Sequence, residues 1–271
     1  MCIRDRWDND VEDGAGGGDD DNLLRGVCAG DGVIIAVGGA GNGRALRSID
    51  GGATWTVSEL GSGWLGGCAF GVVGDDRVFA AIGSGRAIRS VDGGLTWIDP
   101  EAHREGGRNW EMRDVAFLHG RFVAVGDTGT STSVDGTGFS APTGPPNLFR
   151  VAAGNGVWVA VGSGLRARSV DGITWTDEPT GGRDVAFAGD HFVMAGAGQL
   201  FFSPDGQEWE SRGGPTFERL VAGEVLGQTV YIGTLWPDAR RRSTDGTNWD
   251  EVARDGGNAI DDLVFVPGPS D

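Results

Sequence analysis
Ser90-Val91-Asp92-Gly93-Gly94-Leu95-Thr96-Trp97 recurs, with exchanges at two aliphatic positions only, as Ser48-Ile49-Asp50-Gly51-Gly52-Ala53-Thr54-Trp55. Four looser copies follow, bringing the total to six: Ser133-Val134-Asp135-Gly136 ending at Phe139, Ser169-Val170-Asp171-Gly172 ending at Trp175, Ser203-Pro204-Asp205-Gly206 ending at Trp209, and Ser243-Thr244-Asp245-Gly246 ending at Trp249. Asp-Gly marks a turn, because the carboxylate bonds its own backbone and glycine accepts positive φ without steric cost. Strand-like runs flank each copy, such as Ala87–Ser90 before and Leu95–Ile98 after, so each reads as a hairpin loop. The Ser and Thr hydroxyls are placed to satisfy further turn amides, and the terminal Trp or Phe to cover the turn. One active site does not need its acid six times, so these aspartates read as fold-determining rather than catalytic.

Around each turn a longer unit repeats. Its first strand is Arg25–Ala29, with later versions Arg113–Phe117, Arg150–Ala152 and Arg183–Phe187; its second is Val33–Gly38, echoed by Phe122–Gly126 and Val157–Gly162. The third strand runs into the Asp-Gly turn and the fourth leaves it from the aromatic residue. The turn aspartates recur every 34 to 43 residues. Four strands at that period predict an all-β fold of propeller blades, with a solenoid as runner-up that would leave strand edges unprotected. After the sixth turn the chain carries Asp262-Leu263-Val264-Phe265-Val266, a first strand without a turn of its own. Near the other end, Trp7–Val11 matches a fourth strand, followed by an acidic, Gly-rich loop to Asn22. The expectation is six complete blades plus strands of a seventh, over residues 23–271, with a six-bladed ring as the alternative. Residues 1–6 read as a non-native leader and are left out of the fold reasoning.

The chain has 271 residues, 51 of them glycine, and a formal net charge of −17; all its basic residues are arginine. That size suits one all-β domain. The acidity argues against nucleic acid, whose binding rests on neutralising phosphates with cations. No run of about 20 apolar residues is present, so no membrane-inserted helix is expected. The three histidines, His103, His119 and His191, are scattered, and no Cys/His spacing suits zinc. No metal or cofactor is expected.

Aligned across units, the entry of the first strand is charged: Arg25, Arg113-Asp114, Arg150, Arg183-Asp184, Arg219 and Asp262. These residues can form a guanidinium ring that recognises carboxylate or sulfate. They can equally form an Arg–Asp lattice that neutralises itself, which the adjoining Asp114 and Asp184 favour. The loops on that face carry Trp64, Trp110, Phe149 and Trp236, suited to a protein partner, to sugar stacking, or to covering gaps between blades. Cys28 and Cys68 hold equivalent positions on neighbouring first strands, and read as small axial packing residues too far apart for a disulfide.

The pattern S-x-D-x-G-x-T-W resembles the Asp-box, or bacterial neuraminidase repeat; Ser48–Trp55 and Ser90–Trp97 match it fully. In that family the box marks the turn between third and fourth propeller strands, which would give Asp50, Asp92, Asp135, Asp171, Asp205 and Asp245, with Trp55, Trp97, Phe139, Trp175, Trp209 and Trp249, structural roles. The chain is also similar in repeat rhythm to photosystem II assembly factor propellers, which bind proteins. Sialidase chemistry, which the box invites, needs a tyrosine nucleophile with a carboxylate partner. The only tyrosine, Tyr231, falls inside a predicted second strand. The resulting expectation is a non-catalytic bacterial binding or scaffold propeller, secreted or at the cell surface, that recognises a protein or peptide through one loop face. A glycan-binding module, or a sialidase-like hydrolase, is the alternative.

Overall fold
The computed structural model describes residues 23–100, 111–196, 198–236, 239–254 and 260–266. The expected leader, the Trp7–Val11 strand and its acidic loop lie outside them, as do His103 and Trp110. Six antiparallel sheets follow one another along the described chain. Sheet I holds β1 (Leu24–Gly30), β2 (Val33–Gly38), β3 (Asn42–Ser48) and β4 (Thr56–Ser62); sheet II holds β5 (Leu65–Val73), β6 (Asp76–Gly83) and β7 (Ala87–Ser90). Sheet III holds β8 (Met112–Leu118), β9 (Arg121–Gly126) and β10 (Gly129–Ser133), and sheet IV β11 (Leu148–Gly154), β12 (Val157–Gly162), β13 (Leu165–Ser169) and β14 (Thr176–Glu178). Sheet V holds β15 (Asp184–Phe187), β16 (Phe192–Ala195), β17 (Leu200–Ser203) and β18 (Glu210–Gly213); sheet VI holds β19 (Arg219–Val225), β20 (Gln228–Leu235), β21 (Ala239–Ser243) and β22 (Asp250–Arg254).

Sheets II and III have three strands, and single bridges, Arg89 with Ile98 and Thr130 with Thr143, stand where the fourth strand would pair. Prolines follow at once, Pro100 in one case and Pro145-Pro146 in the other, and proline cannot donate to a ladder.

Each repeat turn is built as its composition predicts. In sheet II, Ser90 Oγ donates to Asp92 Oδ1 (2.7 Å) and accepts from Gly94 N (2.8 Å), while Asp92 Oδ1 accepts from Thr96 N (2.9 Å) and Oδ2 from Thr96 Oγ1 (2.6 Å). Gly93 and Gly94 both take positive φ, 71° and 83°. The same serine–aspartate bond closes the other five turns. Arginines on the third strands tie neighbouring turns together: Arg47 Nε donates to Gly93 O (2.6 Å), Arg89 Nη1 to Asp135 O (3.0 Å) and Arg168 Nε to Asp205 O (2.7 Å).

The core lies between sheets. Five clusters of buried side chains each draw on two consecutive sheets, from I and II through V and VI. Second strands are buried on both faces, so Phe122, Val123, Ala124 and Val125 are all fully covered, which explains their unbroken apolar runs. First strands pack by size. A Cβ on Gly30, Gly71 or Gly154 would lie within about 2.4 Å of the ring of Phe70, Phe117 or Phe187 on the next sheet's first strand.

The segment 260–266 repeats these contacts. Phe265 sits on Gly223 of β19 as those phenylalanines sit on their glycines, and Asp262 Oδ2 accepts from Val27 N of β1 (2.9 Å). The segment therefore touches both the last and the first sheet.

Cys28 and Cys68 correct one expectation: they form a disulfide, with Cα atoms 5.6 Å apart. The glycines two or one residues before them, Gly26 and Gly67, let β1 and β5 meet with no side chain between. A Cβ on Gly26 would lie 2.6 Å from Gly67 Cα, and that approach brings the two thiols into bonding range.

Candidate functional site
The charged entries of the first strands divide into two tiers, and β-bulges make the division. Register slips between Leu24 and Gly26, Leu65 and Gly67, Met112 and Asp114, and Leu148 and Arg150. A bulge sends two successive residues in different directions. Arg25, Gly66, Arg113 and Phe149 occupy the outer tier, while Gly26, Gly67, Asp114 and Arg150 occupy the inner one, which Asp184, Arg219 and Asp262 complete.

The inner tier alternates in charge. Each aspartate joins two strands: Asp114 accepts from Val115 N (2.8 Å) and Val151 N (2.9 Å), and Asp184 from Val185 N (2.8 Å) and Leu220 N (2.7 Å). Arg150, itself buried, lies 3.5 Å from Asp262 and 4.0 Å from Asp184 and donates to Asp261 O (2.6 Å). Arg219 donates to the same carbonyl and to Glu218 O. Three carboxyls thus share two guanidiniums, with Arg150 and Asp184 buried and Asp114, Arg219 and Asp262 partly covered. Desolvation raises Asp114 to about 7 and Asp184 to about 6, against the attraction of Arg150, and raises Asp262 as well. Burial alone would lower Arg150; the carboxylates of Asp262, Asp184 and Asp114 more than offset it and hold the guanidinium charged. Burial, aided by the charge of Arg150, lowers Arg219.

The outer tier is a rim of paired arginines. Arg113 binds both oxygens of Asp127 (2.6 and 2.8 Å) and lies over Phe149, 5.5 Å from its centroid. Arg25 lies over Trp64 at 5.3 Å, and Arg183 pairs with Glu218. Trp236, between β20 and β21, is 72% exposed. Alignment put Arg25, Arg113, Arg150, Arg183 and Arg219 at one level; Arg150 and Arg219 lie inside, while the other three meet partners at the rim. The partner of Asp114 is the backbone of the next sheet, not the adjoining Arg113. One residue of offset separates the tiers, and the bulge that creates it leaves no sequence signature beyond the paired Arg-Asp.

At the opposite, turn-bearing end, a feature unforeseen from sequence lies on sheet V. A cavity of about 450 Å³ is lined by residues including Asp190, His191, Phe202, Glu208, Trp209 and Arg212. Asp190 bonds His191 Nδ1, and His191 Nε2 meets Tyr231 Oη at 2.7 Å. A proton held at Nδ1 by the carboxylate leaves Nε2 to accept from the tyrosine. Tyr231 is 3% exposed, and burial raises its pKa, so it stays a hydroxyl. Arg212 lies over Phe202 at 4.4 Å and pairs with Glu210. Asp190 and His191 sit in a short first-to-second-strand turn, and only their nearness to Tyr231, 40 residues on, reveals them. Among the described residues no group of three or more His, Cys, Asp or Glu is placed to hold a metal ion.

No family model matches the chain, and no curated relative matches it. Solved structures do. An ancestral GH74 enzyme aligns with a TM-score of 0.60 at 14% identity, over 89% of this chain and 44% of that one. PorZ, a bacterial surface component of the type-IX secretion system of Porphyromonas gingivalis, aligns at 0.56 and 13% identity, over 87% and 34%. A chain of the nidogen/laminin complex aligns at 0.52 and 13%, over 81% and 92%. The chain spans less than half the length of the first two. These likenesses concern the fold, and they agree with six consecutive antiparallel sheets in a propeller-type, all-β arrangement.

Proposed function
We propose that this chain is a non-catalytic binding propeller that recognises a protein or peptide through the rim at the entries of its first strands. In this reading 260–266 takes a seventh inner position, between sheet VI and sheet I. The observation that carries the binding role is Trp236, a large indole left 72% exposed on a rim that also bears Trp64 and Phe149 beside arginines. Tryptophan and arginine are the residues that dominate binding hot spots. Arg113 and Arg183 already have carboxylate partners and Arg25 lies over Trp64, which favours a shaped partner over a lone anion. The inner tier is spent on joining strands, and this supports a structural use of its shifted carboxyls. Tyr231 is buried at the opposite end of the sheets from the rim, which weighs against the sialidase alternative. A disulfide between first strands supports an oxidising compartment, at the cell surface or beyond it.

Selection of a displayed random-peptide library on the immobilised protein tests the binding role, with Trp236→Ala beside it and a glycan array in parallel. We expect enriched peptides whose binding is lost in the variant. Peptides that bind both proteins equally would overturn the rim as the site, and saturable glycan binding that needs Trp236 would replace a peptide ligand by a sugar.

A further inference from the structure
The two faces of sheet VI are not used alike. Tyr231 and Leu235 of β20 pack toward sheet V, so Ile232 and Thr234, which alternate with them, point the other way. On the earlier second strands the counterparts of Ile232 are Ile35, Ala80, Val123, Val159 and Val193, each fully buried. Ile232 is partly exposed. What covers the others is the Asp-Gly turn of the next sheet. A Cβ on Gly94 would lie 2.4 Å from Ile35, one on Gly172 2.6 Å from Val123, and one on Gly206 2.4 Å from Val159.

Sheet VI repeats the corresponding face of sheet IV position for position. On sheet IV, Val159 pairs with Arg168 and Val161 with Arg166; on sheet VI, Ile232 pairs with Arg242 and Thr234 with Arg240. The sheet IV set holds the turn of sheet V. Arg168 Nε donates to Asp205 O (2.7 Å), and Arg166 lies over Trp209, 4.9 Å from its centroid. Arg47 and Arg89, at the Arg168 position of sheets I and II, also donate to carbonyls of the next turn, and Arg89 stands 3.7 Å from the Asp135 carboxylate. Arg242 has the same place and no such partner. It is exposed, and among the described residues it makes no hydrogen bond or ion pair, even with Asp250 opposite it on β22. Thr234 is 4% exposed, and its hydroxyl has no hydrogen-bond partner among the described residues. Sheet VI therefore keeps the turn-holding set of sheet IV with no turn on it.

The turns of this sequence do not fill the place. Those of sheets II to VI seat on preceding sheets, and the freedom of Arg242 shows that the turn of sheet I does not seat here. Charge and shape name the occupant. A Ser-x-Asp-Gly turn carries a carboxylate held ionised: in sheet V the amide of Gln207 foremost, with the charge of Arg168 adding to it, lowers Asp205. Such a turn brings an anion and a free carbonyl to an unpaired guanidinium. We propose that the outward face of sheet VI docks a strand–turn–strand segment of a partner polypeptide whose Asp-Gly turn seats on Ile232, accepts from Arg242 through a backbone carbonyl, and sets an aromatic residue beside Arg240. β21 runs from the rim to the turn-bearing end, and Arg242 lies at the latter, so the site does not rest on the rim reading.

The probe is a fluorescein-labelled peptide of residues 200–213, the hairpin whose turn sheet IV holds. Leu200 and Gly213 stand opposite each other, so joining its ends keeps the strands paired and lowers the cost of ordering. Binding to the full chain is read by fluorescence anisotropy. We expect saturable binding that weakens at least about tenfold in Arg242→Ala, the loss of one charge-assisted hydrogen bond. Arg242 is exposed and unpaired, so the melting temperature of that variant should match the parent's. A probe carrying Gly206→Val should bind the parent at least about tenfold more weakly, because its side chain fills the space that Ile232 would occupy. Trp236→Ala, which disables the rim, should bind the probe as the parent does. No binding, equal binding by Arg242→Ala, or equal binding of a sequence-scrambled probe would each overturn the proposal. If Arg242→Ala fails to fold, the Gly206→Val probe on the parent decides, and undiminished binding there would overturn it.

Discussion
The smallest unit of this fold is one serine hydroxyl. Ser90 is fully buried, and its Oγ accepts from Gly94 N (2.8 Å) while donating to Asp92 (2.7 Å). Replacing it by alanine leaves a buried amide without an acceptor, which costs about 1–3 kcal/mol. We expect Ser90→Ala to shift the urea midpoint downward by that amount, with an unchanged slope. Ile49→Ser, one residue from the equivalent Ser48, should change the midpoint little because Ile49 is 64% exposed. A midpoint unmoved by Ser90→Ala would mean the turn is held by its carboxylate alone. These turns were legible because their chemistry is local: acceptor, hydroxyl and glycine all sit within eight residues. The cavity chain Asp190–His191–Tyr231 was not, since it joins sheet V to sheet VI and nothing in either segment announces the other.

Packing between elements follows a size rule that the sequence also contains. Gly30, Gly71 and Gly154 each receive a phenylalanine from the next sheet's first strand, and Gly223 receives Phe265 of the 260–266 segment; at the junction of sheets III and IV, Leu118 and the smaller Ala153 border one cluster. The glycines read as turn punctuation in a linear pass, because a close approach between strands some 40 residues apart has no local mark. Gly71→Ala puts a methyl 2.4 Å from the Phe117 ring. We expect a loss of about 1–3 kcal/mol, the usual result of overpacking, and Phe117→Leu in the same chain should recover part of it. The disulfide failed to appear in the sequence reading for the same reason: Gly26 and Gly67 set the distance, and the cysteines only respond to it. It closes a span of 40 residues, for which chain-entropy arguments give a stabilisation of about 2–4 kcal/mol. Reduction with dithiothreitol should lower the free energy of unfolding by that much. Amide exchange should rise first at the β1–β5 contact, and equal protection in both redox states would show that packing alone holds the two strands.

At the scale of the whole molecule, the inner tier links sheets III to VI and the 260–266 segment through one set of charges, and its titration gives the stability a pH optimum. Asp114 and Asp184 bind protons more tightly in the folded chain, at about 7 and about 6, than the ordinary 3.8. A raised carboxyl stabilises fully below its unfolded value, and that contribution fades as pH rises through the folded value. The turn aspartates act oppositely: with Asp50, Asp92 and Asp171 lowered to about 2, their contribution is complete above 3.8 and fades as pH falls toward 2. The first contribution is complete only below about 3.8 and the second only above it, so together they favour the folded chain most near pH 4. We therefore expect melting temperature to peak near pH 4, to fall toward pH 2, and to fall from pH 4 to about 7. The alkaline arm belongs to the inner tier. Asp114→Asn sets an amide NH2 against a backbone N–H and lowers stability throughout, but it removes one titrating group and should flatten that arm while leaving the acid arm unchanged. The loosening as pH rises from about 4 to 7 should also be local. Deprotonation leaves three carboxylates to two guanidiniums, and Asp262 reaches β1 through the single bond to Val27 N, so the contact between 260–266 and sheet I should show faster amide exchange before the sheets themselves do. A melting temperature that climbs steadily from pH 5 to pH 8 would show that the guanidiniums hold all three carboxylates charged, and the segment would then be anchored by Phe265 on Gly223 rather than by the charges of the inner tier.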